Sequence, residues 1–99
     1  MASFRLTAKA KADLRSIGRY TQKTWGREQR NRYLTLLDGS FHDLANDPRT
    51  GRSCDDIKPG YRKLHVGRHL IFYRQAEDAV EIIRILHERM DIATHLAEE

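Results

Sequence analysis

The sequence predicts an α+β fold: an N-terminal strand, an antiparallel helix hairpin packed on a mostly antiparallel sheet of three to four strands, and a short C-terminal helix. Three observations lead there. First, Tyr61–His87 divides into three short runs rich in β-branched and aromatic residues, broken at Gly67 and across Gln75–Ala79; this is the pattern of a β-meander. Second, Ala8–Trp25 and Arg27–Asn46 carry apolar residues at spacings of three and four, and only Gly26 separates them. Two amphipathic helices joined so tightly fold back on each other. Third, 99 residues make one domain, spanning 1–99, with one modest core.

Each element has its own signals. Ser3-Phe4-Arg5-Leu6-Thr7 alternates apolar and polar residues and reads as a first strand, with Thr7 placed to cap the helix that follows. The first helix carries its stripe at Ala10, Leu14, Ile17, Thr21 and Trp25, while Lys9, Lys11, Arg15, Arg19 and Lys23 lie mostly off it. Gly18 weakens a helix interior by about 1 kcal/mol relative to Ala, so it marks a close approach by another segment. Gly26 reads as a left-handed C-terminal residue. The second stripe is Tyr33, Leu34, Leu37, Phe41, Leu44 and Ala45, ending at Asn46-Asp47-Pro48. Arg49–Gly60 lacks periodicity and reads as a loop.

Alternation then sorts the meander. Leu70 and Phe72 share one face, and His69, Ile71 and Tyr73 the other; in the last run Val80, Ile82, Arg84 and Leu86 oppose Glu81, Ile83, Ile85 and His87. Both faces are apolar, so both need cover. The helix hairpin covers one. The tail, an Asp91-capped helix with Ile92 and Leu96 on one side, is too short to cover the other alone. The expected core is Leu14, Ile17, Trp25, Leu37, Phe41, Leu44, Leu70, Phe72, Ile82 and Leu86.

Charge narrows the function. The net charge is +4, and between Ile57 and Ala76 stand Lys58, Arg62, Lys63, Arg68 and Arg74, with His65 and His69 and no acid. A sheet both apolar and basic is suited to an acidic partner. The lone Cys54 forms no internal disulfide, which points to a reducing compartment. Met1-Ala2-Ser3-Phe4-Arg5 has no apolar leader core, and no run is long enough to span a bilayer; the expectation is a cytoplasmic protein without a membrane partner. His65 and His69 straddle the Gly67 turn and no ligand set has zinc spacing, so no metal or cofactor is expected. No nucleophile elbow or phosphate-cradling loop is present. A metal-free ribonuclease needs an acid, a base and cations around a phosphorane. Arg62, Arg68, Arg74, Arg84, His87 and Arg89 are candidates for that work. Set against this is the favoured reading, in which the same charges frame a protein interface.

Several blocks carry a resemblance. Tyr20-Thr21, Trp25-Gly26, Gln29 and Tyr33-Leu34 resemble the helix-hairpin signature of ParE toxins, in the ParE/RelE superfamily. Asn46-Asp47-Pro48, Gly51-Arg52 and Pro59-Gly60-Tyr61-Arg62 are similar to that family's loop and next strand. Gly67-Arg68-His69 with Ile71-Phe72-Tyr73-Arg74 resembles its central strand, and Arg84-Ile85-Leu86-His87-Glu88-Arg89-Met90-Asp91 its C-terminal motif. The resemblance runs from about Phe4 to Leu96. It implies the toxin of a type II toxin–antitoxin system, neutralised in a tight complex by a ParD-type antitoxin and acting on DNA gyrase, with no direct specific nucleic-acid binding by the toxin alone. The RelE branch of the superfamily implies ribosome-dependent mRNA cleavage instead, with Arg62, Arg68, Arg84, His87 and Arg89 as the candidates. RelE-like nucleases usually place a Tyr or His near the C-terminus; no Tyr follows Tyr73 here, and His87 is the one stand-in. Gly18 departs from the ParE pattern, which often has an aromatic there. For the antitoxin, the expected contacts are Arg62, Arg68, Arg74 and Arg84 around Ile71 and Tyr73.

Overall fold

A computed structural model describes residues 3–97; Met1, Ala2, Glu98 and Glu99, which the sequence reading placed in the start and the last helix, lie outside the described residues. The order is β1 (Phe4–Leu6), α1 (Ala8–Trp25), α2 (Arg27–Asn46), β2 (Arg52–Ser53), β3 (Tyr61–Val66), β4 (His69–Gln75), β5 (Val80–His87) and α3 (Ile92–Ala97). The sheet has five strands, ordered β1-β5-β4-β3-β2. The meander β3–β4–β5 is antiparallel, as the sequence predicts. Two short edges enlarge it: β2 pairs antiparallel with β3, and β1 lies parallel to β5 with Phe4 opposite Val80.

The helix starts and stops follow from the residues that mark them. The Thr7 hydroxyl accepts the Ala10 N–H at 3.0 Å and donates to the Ile83 carbonyl at 2.8 Å, so one side chain caps α1 and ties its start to β5. Gly26 ends α1 at φ 97° and ψ 169°, a region open essentially to glycine but not the left-handed helical one that the sequence suggested. Gly18 is buried where the helices meet, and a Cβ there would make an ordinary van der Waals contact with Leu34 Cδ1 at 3.4 Å, so the helices approach closely without requiring glycine.

The helices pack on the face carrying Ile71, Tyr73, Val80, Ile82 and Ile85, against Ala10, Ile17, Leu37, Phe41 and Leu44. On the opposite face Phe72, Ile83 and Leu86 pack with Cys54, Tyr61 and Leu96. Strict alternation in β5 fails here. Phe72 pairs with Arg84 and Tyr73 with Ile82, so Ile83 has no opposite number and the strand bulges. Past the bulge Ile85 faces the helices and Leu86 faces away, which reverses their predicted sides. The second face is also less bare than the sequence implied. The loop residues Cys54 and Ile57 join Ile92 and Leu96 of α3 to close it, leaving Phe72 at 0% and Leu86 at 1% exposure. Of the expected core, Leu14 and Leu70 are half-buried. Trp25 is 69% exposed, because the buried stripe of α1 stops at Thr21 and its last turn projects past the sheet. Among the described residues no helix is long and apolar enough to cross a membrane.

Candidate functional site

The arginines that mark the sequence do not converge. Arg62, at the start of β3, donates through its guanidinium to the Gly51 carbonyl at 2.9 and 3.2 Å. Beside it Tyr73 donates its hydroxyl to the Pro48 carbonyl at 2.8 Å and accepts the Gly51 N–H at 2.9 Å. A Cβ on Gly51 would come within 2.5 Å of both the Tyr73 hydroxyl and the Lys63 carbonyl, so only glycine permits this closure. These two side chains clamp the 47–51 loop against the sheet. Arg74 lies on the opposite face and pairs with Glu81 at 2.8 Å. Glu81 also reaches Arg5 at 3.5 Å.

Arg84 is held most firmly. Its Nε and one terminal nitrogen reach the two carboxylate oxygens of Asp13 at 2.8 and 3.0 Å, with both side chains about 15% exposed or less. The same carboxylate accepts the Ile85 backbone N–H at 2.9 Å. The ladder between β1 and β5 ends at Leu6 opposite Ile82, so Asp13 takes up a strand-edge donor that β1 does not reach. The fork geometry makes the pair specific as well as strong.

At the other end of the sheet the β3–β4 turn is locked by α2. Tyr33 lays its ring over Gly67, where a Cβ would meet it at 2.7 Å, and its hydroxyl accepts the Arg68 N–H at 3.1 Å. That hydroxyl lies 2.6 Å from His69 Nδ1 and 3.3 Å from the Val66 carbonyl, and the tautomer of the imidazole sets which of Tyr33 and His69 donates to the other. His69 stands edge-on to His87, with centroids 5.3 Å apart. Burial first, and then the neighbouring His87, push the His69 pKa down to about 4. Burial likewise raises the Tyr33 phenol above its usual value, against the Arg68 N–H, which lowers it. His87 Nδ1 accepts the Arg89 N–H at 3.1 Å, and His65 pairs with Glu88 at 2.9 Å.

The predicted sites are corrected accordingly. Ile71 and Tyr73 are 0% exposed beneath the helices, so neither presents a surface to an antitoxin. Arg62 and Arg84 are committed to the loop and to Asp13. Arg68, Arg74 and Arg89 remain exposed. The nuclease set is divided as well: β3 alone separates Arg62 from the Arg68 turn by about 13 Å, at about 3.3 Å per residue. Arg68, His87 and Arg89 share one end, without Arg62. The sequence reading missed Asp13 and Glu81, the acids that tie down Arg84 and Arg74. Asp13 left one signal, as the sole acid in α1. It also missed a groove of about 550 Å³ between α1 and α2, where Arg15, Arg19 and Arg30 stand over a floor of Leu14, Leu34 and Phe41.

This architecture has known counterparts. Residues 4–92 match the family described as the ParE toxin of the type II toxin–antitoxin system parDE. Toxin ParE1 of Mycobacterium tuberculosis is 42% identical over 92 residues, covering 92% of this chain and 94% of that one. Toxin ParE1 of Caulobacter vibrioides is 38% identical over 96 residues, covering 97% and 99%. Among solved structures, the chromosomal ParDE toxin–antitoxin system from P. aeruginosa superimposes with a TM-score of 0.75 at 24% identity, over 88% of this chain and 96% of its own. That likeness establishes the fold, and the relatives establish the family: the chain belongs to the ParE toxins of type II toxin–antitoxin systems.

Proposed function

We propose that this toxin acts by binding, with DNA gyrase as its target, and that a ParD-type antitoxin neutralises it by direct contact. The gyrase target rests on the family resemblance. The preference for binding over catalysis rests on one observation, the dispersal of the arginines: Arg62 and Arg84 are spent on internal partners and cannot join His87 around one phosphate. A general acid or base contributes about 10²–10⁴-fold. His87→Ala is therefore expected to leave toxicity within a small factor in a variant that still folds and binds antitoxin; a loss of 10²-fold would select the ribonuclease reading.

Inducible expression with and without the neighbouring antitoxin tests the target. Gyrase poisoning gives a DNA-damage response and filamentation, whereas a ribosome-dependent nuclease gives rapid translation arrest with codon-positioned mRNA cuts. For the antitoxin, a segment disordered when free and alternating apolar anchors with Asp or Glu suits the basic surface. Arg68, exposed at the β3–β4 turn, and Arg74 are the remaining sheet contacts of the predicted set. Arg68→Glu is expected to weaken antitoxin binding more than tenfold at low salt, chiefly through faster dissociation. Lys9→Glu should change it little. Equal losses at both positions in calorimetry would reduce Arg68 to a solvated charge.

A further inference from the structure

The outer face of α1 is built against its own stability. Lys11, Arg15, Arg19 and Lys23 follow one another at four-residue intervals, all exposed, in a row about 18 Å long at 1.5 Å per residue. Like charges at i and i+4 repel. Among the described residues none of the four makes an ion pair. The first turn holds no acid, while Lys9 and Lys11 stand near the end of the helix whose dipole disfavours cations. The neighbouring α2 is different. It begins with Glu28, which pairs with Arg32 at 2.7 Å in the stabilising i, i+4 arrangement.

We propose that the ridge Lys11–Arg15–Arg19–Lys23 docks on the sugar–phosphate backbone of duplex DNA without regard to sequence. The small exposed residues Ala8, Ala12 and Ser16 run in a parallel line beside the cations, allowing close approach; the apolar floor of Leu14, Leu34 and Phe41 lies on the other flank of Arg15 and Arg19, in the groove against α2. A protein partner draws most of its affinity from buried aromatic, aliphatic or arginine anchors; a polyanion with evenly repeated charges requires only the row. Single strands are bound where aromatic platforms accompany the cations. Of the exposed aromatics of α1, Tyr20 is a single ring about 60° from Lys23 and Trp25 points about 160° away from Lys23, given 3.6 residues per turn, so no run of rings follows the row. A duplex backbone is the ligand that the row fits. This surface is separate from the buried Asp13 side of the helix and does not depend on which cellular target the toxin has.

The test measures the full chain, free of antitoxin, against labelled 20-base-pair DNA duplexes of two unrelated sequences across a salt series. Four backbone contacts give a slope of log K against log salt of about −3.6, with both sequences bound alike. Neutralising the ridge (Lys11→Gln, Arg15→Gln, Arg19→Gln, Lys23→Gln) should abolish that slope and weaken low-salt binding at least about tenfold, in a protein whose thermal melt is unchanged or higher. A control with the same net charge (Arg32→Gln, Arg49→Gln, Arg52→Gln, Lys58→Gln) should keep both. The proposal is overturned if the control loses as much as the ridge variant, or if the ridge variant binds like the parent. Equal affinity for a single strand or for polyglutamate also overturns it, the latter assigning the ridge to an acidic protein segment.

Discussion

The two faces of the sheet are equally apolar and closed by different means. On one side two helices of 18 and 20 residues lie across Ile71, Tyr73 and Ile82. On the other a loop and a six-residue helix cover Phe72, Ile83 and Leu86. Burial is complete on both, with Ile71 and Phe72 each at 0% exposure. What differs is how the cover is held. The hairpin is tied to β5 by Thr7 and Asp13. The loop folds on itself, with the Cys54 carbonyl accepting the Ile57 and Lys58 N–H groups and Asp55 accepting the Gly60 N–H at 2.7 Å. The α3 cover is fastened at its start by exposed hydrogen bonds between Asp91 and Thr94. An apolar strand face demands cover; it does not specify whether helix or loop supplies it.

The comparison predicts how each face fails. The largest effects are expected from truncating its central residue. Leu37→Ala on the helix side should cost about 2–5 kcal/mol and Phe72→Ala on the other about 3–5 kcal/mol. A loss under 1 kcal/mol for Phe72→Ala in chemical denaturation would mean that the outer cover is open in solution. Next comes the tie between helix and strand. Asp13→Ala strands the Arg84 charge and the Ile85 N–H, at about 3 kcal/mol; adding Arg84→Met should restore much of this. Failure of the second change to restore anything in a double-mutant cycle would assign the cost to the Ile85 donor alone. Leu96→Ala should cost about 2 kcal/mol and act locally. Hydrogen exchange should then accelerate around Cys54 and Leu86 while Leu37 and Leu44 stay protected; uniform acceleration would show the two faces to be one cooperative unit.

The smallest effect is a pH dependence confined to the helix side. The folded chain holds the His69 pKa at about 4, below the unfolded value of about 6.5. Protons therefore bind the unfolded chain first. The His69 contribution to stability is complete above about pH 6.5, falls as pH drops toward 4 and flattens below it. For a ring only half-buried, the loss amounts to about 1–2 kcal/mol. His69→Phe should flatten that limb of a stability–pH curve; an unchanged limb would assign the effect to other groups.

Local signals made much of this legible. Thr7, Gly26 and Pro48 mark the helix ends because capping, positive φ and proline sterics act within a few residues. The meander was readable for the same reason. The bulge at Ile83 was not, since one added residue changes every later side without leaving a compositional mark. β1 finds its partner across a separation of more than 70 residues, and β2 is two residues long. The site divides along the same line. The arginines are visible as arginines, but whether each is available depends on Asp13, 71 residues from Arg84, and on whether Glu81 stands beside Arg74. Ile71 and Tyr73 could be assigned to a shared face from alternation alone, but not to the face beneath the helices.

The parallel pairing of β1 with β5 also orders events in time. The β3–β4–β5 meander has only short loops to close, whereas Thr7 must wait for Ile83, 76 residues later, and long closures are the slow ones. At about 5–20 residues per second of synthesis, the apolar stripe of the α1–α2 hairpin is exposed for seconds before its sheet exists. β1 leaves the ribosome before β2–β5 and is thus among the last strands of the sheet to be seated.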